Sequence, residues 1–171
     1  KTTKPLIINS VLDVGCGAGV KSRYLANKGF KVTGIDFSEK MIKIAKRESP
    51  EIPFEVVDVY EIDKYPKTFY GVFSQAVLLH IPKKKIRDVL AKLKNRINPS
   101  GLLYIAVKGM RDDGIDEAVK KEDDYGYEYE RFFSFFTLPE LEGYLKELDM
   151  EVLWKTSTTS GRAEWLQIVG R

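Results

Sequence analysis

Short apolar runs rich in β-branched residues alternate with helical patterns along most of this 171-residue chain. That alternation is typical of βαβ units, in which each helix crosses between two parallel strands of one sheet. The predicted strands are residues 11–14, 31–35, 54–57, 72–76 and 102–107. Because parallel strands need such crossovers, the sequence predicts an α/β fold built around a mainly parallel sheet.

Helical patterns fill the connections and continue after the fifth predicted strand. They cover residues 21–28, 39–48, 84–96 and 138–148. Ser38 is placed to cap the second of these helices. In the third, apolar residues recur at the i, i+3, i+4, i+7 spacing of an amphipathic helix. The Asn-Pro-Ser-Gly sequence at 98–101 then predicts a turn into the fifth strand.

The chain changes character after the fifth predicted strand. Residues 109–136 are interpreted as an insertion, polar and tyrosine-rich at first, and too long for an ordinary connection. We predict either a functional cover or a partly mobile segment there. Two last strands are predicted at 151–155 and 164–169, joined by a hairpin loop over 156–162. Without an internal repeat, we expect one domain over residues 1–171.

The composition argues against several classes of protein. Basic and acidic residues number 28 and 25, so the nearly balanced charge does not indicate a nucleic-acid or membrane-surface binder. Cys16 is the single cysteine, so the sequence predicts neither a disulfide nor a bound metal. No apolar run approaches the roughly 18 residues of a membrane span, and residues 1–8 do not resemble a signal peptide. We expect a cytoplasmic protein, either a monomer or a homodimer.

A glycine-rich turn follows the first predicted strand in the run Val-Leu-Asp-Val-Gly-Cys-Gly-Ala-Gly at residues 11–19. Glycine allows a tight turn and a close approach of the backbone to a ligand, because no Cβ intervenes. The helix that follows offers its positive N-terminal end. Such a turn in isolation is also found in proteins where its role is only structural.

Two later carboxylates strengthen the ligand-binding interpretation. Asp36 ends the second predicted strand, where a carboxylate can bind both hydroxyls of a ribose. Asp58 lies just past the third, where it could accept a hydrogen bond from an adenine amino group. Each alone fits a solvated or helix-capping residue. Together with the glycines they lie at carboxyl ends of parallel strands, where open α/β sheets bind ligands.

These motifs together resemble the class I, Rossmann-like family of S-adenosylmethionine-dependent methyltransferases. The segments that resemble the family's successive motifs are residues 13–19, 34–41, 57–59, 69–81 and 97–103. The resemblance covers nearly the whole chain. It implies a three-layer Rossmann-like sandwich whose seven-stranded sheet is mostly parallel. The last strand, residues 164–169, would be antiparallel beside the fifth.

The resemblance also implies which residues bind the cofactor S-adenosylmethionine and its product S-adenosylhomocysteine. The glycines would pack against the methionine part, and Asp13 would help to hold its amino group through the loop or a water. Asp36 would bind the ribose and Asp58 the adenine amino group. The full set of candidate cofactor residues is Asp13, Gly15, Cys16, Gly17, Gly19, Asp36, Phe37, Met41, Asp58, Val59, Gln75 and Ala76.

Two positions depart from the family's pattern. Tyr70 stands where the family usually has an acidic residue, and Val20-Lys21 is an unusual pair after the last glycine. A non-catalytic cofactor-binding protein therefore stays an alternative. An NAD-dependent oxidoreductase is another, although its fingerprint requires glycine or alanine where Val20 stands.

Candidates for catalysis and acceptor binding lie later in the chain. His80, the single histidine, follows the fourth predicted strand and is a candidate general base, or else it caps a helix or lies over the core. Candidate substrate residues are Tyr125, Tyr127, Tyr129 and Arg131. With the aromatic run at 132–136 they would form a lid and pocket for a cationic or aromatic acceptor, unless those aromatics are core. The resemblance implies O- or N-methylation of a small molecule, with a tRNA-modifying methyltransferase as the alternative.

Overall fold

The computed structural model describes residues 9–110, 113–123, 126–161 and 163–171, and the strands and helices below lie within these ranges. The strands are β1 (Ser10–Val14), β2 (Lys31–Asp36), β3 (Phe54–Val56), β4 (Phe69–Gln75), β5 (Ile97–Lys108), β6 (Glu117–Glu122), β7 (Tyr129–Ser134), β8 (Val152–Ser160) and β9 (Ala163–Gly170). The helices are α1 (Val20–Asn27), α2 (Glu39–Glu48), α3 (Lys83–Lys94) and α4 (Leu138–Glu147). Short 3₁₀ helices cover Val59–Lys64 and Leu78–His80. No helix in the described ranges is both long and apolar enough to cross a membrane.

Seven strands form one sheet in the order β3-β2-β1-β4-β5-β9-β8, while β6 and β7 form a separate two-stranded sheet. β1 pairs with β2, and β2 with β3, in parallel. β9 pairs antiparallel with β5, with Lys108 opposite Trp165 at the carboxyl end of β5. The predicted α/β fold, with a mostly parallel sheet and an antiparallel last strand beside the fifth, is therefore confirmed.

The chain divides into two compact units. The first comprises the described residues up to Phe73 together with Asn95–Leu102. Its apolar core joins residues of the glycine turn, β2, α2 and β3, and the members are Cys16, Val32, Ile42, Ala45, Ile52 and Phe54. The predicted cap of α2 is confirmed, because the Ser38 hydroxyl accepts a hydrogen bond from the Met41 amide at 3.3 Å. The carboxyl ends of β1 and β2 are thus supported by a packed core.

The turn predicted at 98–101 lies within β5, since that strand begins at Ile97. Ser100 has a φ of 63°, so the chain still reverses sharply there. A Cβ on Gly101 would lie 2.4 Å from the Tyr70 carbonyl oxygen, so only glycine fits this close approach to β4. The left-handed backbone at Ser100 agrees with the turn predicted at 98–101. That these residues belong to β5 could not be predicted from their preference for turns.

The second unit comprises Ser74–Lys94 and the described residues from Leu103 to Arg171. Two expectations were wrong here. The insertion over 109–136 contains β6, where no strand was predicted. The loop predicted at 156–162 is mostly strand, because β8 continues to Ser160 and the turn follows at Gly161. β6 lies in a two-stranded ribbon and β8 at a sheet edge, so neither needs the alternating apolar pattern by which strands are recognised.

Candidate functional site

The glycine turn after β1 has the backbone geometry of a ligand-binding loop. Gly15, Gly17 and Gly19 have φ values of 66°, 53° and 79°, which L side chains rarely adopt. The Cys16 amide donates to the Ile35 carbonyl at 2.9 Å, which ties the turn to β2. Gly19 is the N-cap of α1, so the turn leads directly into a helix N-terminus. The loop therefore presents backbone without side chains next to the positive end of a helix.

Asp36, the last residue of β2, is held by the same turn. One carboxylate oxygen accepts a hydrogen bond from the Gly17 amide and the other from the Ser38 amide, each at 2.9 Å. The residue is 9% exposed, so these bonds form in a largely desolvated setting. Each carboxylate oxygen has a second lone pair, so the group can also accept from ligand hydroxyls. The structure thus brings the predicted glycines and Asp36 into direct contact.

Asp13 lies in β1 just before the turn and is buried, with 2% of its surface exposed. Its carboxylate accepts a hydrogen bond from the Ser22 hydroxyl at 2.6 Å. Burial raises the pKa of Asp13 to about 6, and the nearby Asp36 carboxylate adds to this effect. The Ser22 bond acts in the opposite direction. Asp13 is therefore a titratable group inside the candidate site, and sequence reasoning did not identify Ser22 as its partner.

The inner wall of the loop is formed by the Phe54 ring and Cys16. A Cβ on Gly19 would lie 2.8 Å from Phe54 Cζ, and one on Gly34 would lie 2.5 Å from Phe54 Cδ1. Cys16 is buried, and burial raises the pKa of its thiol. The cysteine therefore packs behind the turn as an apolar side chain. A direct contact of its thiol with a cofactor stays a prediction.

The remaining cofactor candidates of the first unit surround the ends of β2 and β3. Phe37 is 76% exposed, and Val56 at the end of β3, which is not among the candidates, is 49% exposed. Met41 and Val59 are half-buried in α2 and the 3₁₀ helix. The ring of Phe37 is therefore accessible from solvent beside the end of β2.

Asp58 has a clear structural role. Its side chain caps the 3₁₀ helix by accepting a hydrogen bond from the Tyr60 amide at 2.9 Å. This is the capping role that the sequence left open as an alternative. An exposed carboxylate oxygen can still accept a further hydrogen bond, so the adenine contact stays a prediction.

The geometry of the first unit fits a nucleoside-bearing cofactor such as S-adenosylmethionine. The turn offers backbone without Cβ atoms at three positions, Asp36 is a fixed carboxylate able to receive ribose hydroxyls, and Phe37 offers an exposed ring for an adenine. These are the three kinds of group that recognise phosphate-free adenosine derivatives in such folds. The individual contacts stay predictions.

Gln75 and Ala76, the candidates at the end of β4, belong to the second unit. Ala76 has a φ of 60°, which is a strained conformation for a residue with a Cβ. Its amide donates to the Ala106 carbonyl at 3.0 Å. Strained backbone at the carboxyl end of a strand is found preferentially at functional sites. The strain could not be read from the sequence, because alanine gives no signal of a left-handed position.

His80 ends the 3₁₀ helix that follows β4. Its Nδ1 lies 2.9 Å from the Phe132 carbonyl oxygen, so in the neutral ring Nδ1 carries the proton and Nε2 is the acceptor. Its ring centroid is 4.9 Å from that of Phe133. Burial lowers the pKa of His80, and Arg131 and Lys108 lower it further. The environment therefore keeps the imidazole neutral, as a general base must be before it accepts a proton.

The candidate substrate residues lie on or just before β7, apart from Tyr125, which is outside the described residues. Tyr127 is 64% exposed and its ring is 5.7 Å from that of Tyr129. Arg131 donates to the Tyr129 hydroxyl at 2.8 Å and forms an ion pair with Glu122 at 3.0 Å. The structure thus brings these residues together, and it adds Glu122 from β6.

The aromatic run after Arg131 is core. Phe133, Phe135 and Phe136 are at most 2% exposed. Lys108 lies 4.1 Å from the Phe133 ring centroid, and Lys83 lies 4.3 Å from that of Phe136. Because these rings are buried and already contacted by ammonium groups, they do not offer free faces for a cationic acceptor. Sequence reasoning missed Lys108 and Lys120, since lysines in strands are ordinarily solvated.

Comparison with known proteins identifies the family of the part of the chain that holds these residues. A family model described as a methyltransferase domain matches residues 11–101, which include the glycine turn, Asp36 and Asp58. A ubiquinone biosynthesis O-methyltransferase of Idiomarina loihiensis is 29% identical over 109 residues, which are 61% of this chain and 44% of that protein. This chain thus spans a little under half the length of the curated relatives it matches.

Solved structures share the fold over nearly the whole chain. A methyltransferase structure from Methanosarcina mazei has a TM-score of 0.79 at 22% identity and covers 99% of this chain and 98% of its own. A Burkholderia thailandensis 1,6-didemethyltoxoflavin-N1-methyltransferase has a TM-score of 0.74 at 22% identity and covers 95% of this chain and 70% of its own. Since the family model matches more than half of the residues, the chain belongs to the class I, Rossmann-like family of S-adenosylmethionine-dependent methyltransferases.

Proposed function

We propose that this chain binds S-adenosylmethionine and methylates an oxygen or nitrogen of a small-molecule acceptor. The observation that carries the proposal is the contact between the glycine turn and Asp36. The Asp36 carboxylate accepts a hydrogen bond from the Gly17 amide at 2.9 Å. This contact fixes a ribose-binding group against a backbone that a ligand can approach closely.

Different residues of the first unit would bind different parts of the cofactor. The turn at Gly15–Gly19 would hold its methionine part, Asp36 its ribose, and Phe37 one face of its adenine. When bound, the cofactor supplies an electrophilic methyl group on a sulfonium. Because displacement at that methyl needs no acid for the neutral leaving group, the chain's main contribution is to position the acceptor and exclude water.

We propose that Nε2 of His80 accepts the proton that the methyl acceptor loses. The Phe132 carbonyl fixes the proton on Nδ1 and orients the ring, so that Nε2 presents a lone pair. The lowered pKa keeps that lone pair available near neutral pH. An acceptor such as a phenol, which must lose its proton to react, would need this group. An already neutral amine would need it less.

The relatives support the choice of acceptor class. The matched proteins are named as ubiquinone biosynthesis O-methyltransferases, and the Burkholderia structure holds 1,6-didemethyltoxoflavin with S-adenosylhomocysteine. Both point to a small molecule rather than a tRNA. A cytoplasmic location and a monomeric or homodimeric state stay predictions from the sequence.

Calorimetric titration with S-adenosylhomocysteine and NAD tests the cofactor. We expect S-adenosylhomocysteine to bind and NAD not to. Asp36→Ala should weaken the binding of S-adenosylhomocysteine about 100-fold, because hydrogen bonds to a charged group contribute about 1.5–3 kcal/mol each. Asp63→Ala, which removes an exposed carboxylate of the same unit, is the matched control and should not change the affinity. Unchanged affinity of the Asp36 variant would show the ribose assignment to be wrong.

The rate of methyl transfer to a panel of phenols tests His80. His80→Gln should lower kcat by about 100-fold or more if the imidazole accepts the acceptor's proton. Affinity for S-adenosylhomocysteine should be unchanged, which separates a catalytic loss from a folding defect. Equal rates for the variant and the original chain would remove the general base from the proposal.

A further inference from the structure

β8 is the last strand at one end of the seven-stranded sheet. It pairs antiparallel with β9 from Val152 to Ser160, and among the described residues no strand pairs with its other side. The strand is nine residues long, and all but two of its side chains are exposed. A long, exposed edge strand presents unpaired N–H and C=O groups, which are a template for the addition of a further strand.

The register identifies which backbone groups of β8 point away from β9. The Glu164 carbonyl of β9 accepts a hydrogen bond from the Gly109 amide at 2.8 Å, so the backbone groups of Glu164 point away from β8. Thr159 lies opposite Glu164, and the backbone groups of Thr159 therefore point outward from the sheet edge. Because hydrogen-bonded and non-hydrogen-bonded pairs alternate along antiparallel strands, the same holds for Ser157 and Lys155.

The features that protect an edge strand from pairing are sparse on β8. The strand contains no proline, and its one charged residue, Lys155, forms an ion pair with Glu142 of α4 at 2.6 Å. The irregularity in its pairing lies between Val152 and Trp154, at the start of the strand. Residues 156–160 therefore have neither a charge, a proline nor a bulge, which are the usual means of preventing edge-to-edge association.

The outward groups of β8 are complementary to those of a second copy of the same strand. An antiparallel pair that is symmetric about Ser157 places Ser157 opposite Ser157, and Lys155 opposite Thr159. All three outward residues then exchange both backbone hydrogen bonds with the other copy, and symmetry about another residue does not pair all three with one another. On the other face Thr156 lies opposite Thr158, which is a favourable cross-strand pair. Like charges do not oppose one another, because the single charged residue lies opposite a threonine.

The same register also covers an exposed aromatic side chain. Trp154 is 48% exposed, which leaves much of a large apolar side chain in water. It would lie opposite Ser160 of the other copy, whose small side chain leaves room for the indole. Pairing therefore removes apolar surface from water in addition to satisfying the edge.

We propose that two copies of this chain form a symmetric dimer by joining their β8 strands antiparallel about Ser157. A two-fold axis then passes through this pair, and the sheet continues from one copy into the other. The dimer goes beyond the proposed function, since the interface lies in β8 and does not depend on methyl transfer.

Analytical ultracentrifugation measures the association, starting from a monomer mass of 19.6 kDa. Because one strand from each copy makes a small interface, we expect a Kd on the order of 10 µM. Amide hydrogen exchange followed by NMR tests the position of the interface. The amides of Lys155, Ser157 and Thr159 should exchange more slowly as the concentration rises through the Kd.

Charge variants at the centre of the pair test the symmetry. Ser157→Lys and Ser157→Glu should each weaken dimerisation about 100-fold, because like charges then face each other across the axis. An equimolar mixture of the two variants should dimerise again, because lysine then faces glutamate. Val119→Lys is the matched control, since it adds the same charge to an exposed side chain of β6, in the separate two-stranded sheet. Its Kd should stay within about twofold of the original.

Several results would overturn the proposal. One is a chain that stays monomeric at about fifty times the expected Kd. Others are a dimer that Ser157→Lys leaves intact, a mixture of the two charge variants that does not associate, and an equal loss for Val119→Lys. Slow exchange of the three amides at every concentration would show that another segment of the same chain covers the edge, which also contradicts the dimer.

Discussion

The candidate sites of the two compact units consist of different kinds of chemical group. In the first, the candidate groups are the backbone of the glycine turn and two carboxylates, Asp13 and Asp36, fixed by hydrogen bonds from Ser22 and Gly17. In the second they are mainly long cationic side chains and one imidazole, arranged around the buried ring of Phe133. The geometry of the first site depends on main-chain conformation and burial. The geometry of the second depends on contacts between side chains.

This difference has an energetic consequence. A site made of backbone in left-handed conformations tolerates almost no added atom, because the neighbouring core is close-packed. A site made of lysine and arginine side chains loses less when one is shortened, because water can replace part of each interaction. We therefore expect substitutions in the glycine turn to lower stability, and substitutions of the cations in the second unit to lower it only where these are largely buried. Four predictions test this contrast, in order of decreasing effect.

The largest effect is expected for Gly19→Ala in the first unit. The new Cβ would lie 2.8 Å from Phe54 Cζ, at a φ of 79°. Overpacking and a left-handed alanine together should lower the free energy of unfolding by about 3 kcal/mol. Chemical denaturation measures this change.

Gly17→Ala is the control for that substitution. Its φ is 53°, and a Cβ there would meet nothing within 4 Å. Gly17→Ala should therefore lower the free energy of unfolding only by the cost of a left-handed alanine, about 1 kcal/mol. Equal losses in the two variants would mean that packing against Phe54 does not constrain the turn.

The buried carboxylate of Asp13 should make stability depend on pH. Its pKa is raised from 3.8 to about 6 in the folded protein. Between these values the folded state keeps a proton that the unfolded state releases, so the free energy of unfolding falls as pH rises through this window. The total contribution is on the order of 2–3 kcal/mol.

Asp13→Asn should remove this contribution, so the difference between variant and original should grow from pH 4 to pH 6. Denaturation curves at several pH values measure it. Asp58→Asn changes an exposed carboxylate just after β3 and should keep the original slope, because Asp13 is intact. The prediction fails if the Asp13 variant and the original chain change in parallel across this range.

Two ion pairs between α3 and α4 test the second unit. Lys83 Nζ lies 2.6 Å from both Glu140 carboxylate oxygens, with the side chains 17% and 25% exposed. Lys83→Met should lower the free energy of unfolding by about 2 kcal/mol, because it leaves a largely buried carboxylate without its ammonium partner. Arg87 and Glu147, one turn further along, are exposed, so Arg87→Met should leave stability essentially unchanged. A larger loss for the arginine variant would contradict the dependence on burial.

The smallest effect is expected at His80, and it is read by NMR titration of the imidazole signal. Burial, Arg131 and Lys108 lower the pKa of His80, while Glu122 raises it. Lys108→Gln and Arg131→Gln should therefore each raise that pKa, and Glu122→Gln should lower it further. Lys121→Gln, on the opposite face of β6, should not change it. An unchanged pKa in the first two variants would mean that these cations do not act on the imidazole.

The sequence predicted the first unit better than the second. The bounds of α2 were predicted at residues 39–48 and are Glu39–Glu48, because a capping serine and an amphipathic pattern mark both ends. β6 was missed and β8 was predicted too short. Both are exposed strands, whose pairing depends on partners distant in sequence rather than on a local apolar pattern.

What the sequence alone determined is the alternation of β1 to β5 with helices, the glycine turn, and the carboxylates at the ends of β1, β2 and β3. These follow from local rules, since a glycine pattern, a cap or an apolar period acts within a few residues. Only the tertiary structure decided that Ser22 pairs with Asp13 and that Lys108 and Lys120 converge on Phe133. The residues of each such contact are brought together by folding, and their charges and pKa values depend on neighbours that no local pattern records. The family could therefore be recognised from the sequence, whereas the contacts of His80 and of the lysines around Phe133 could not.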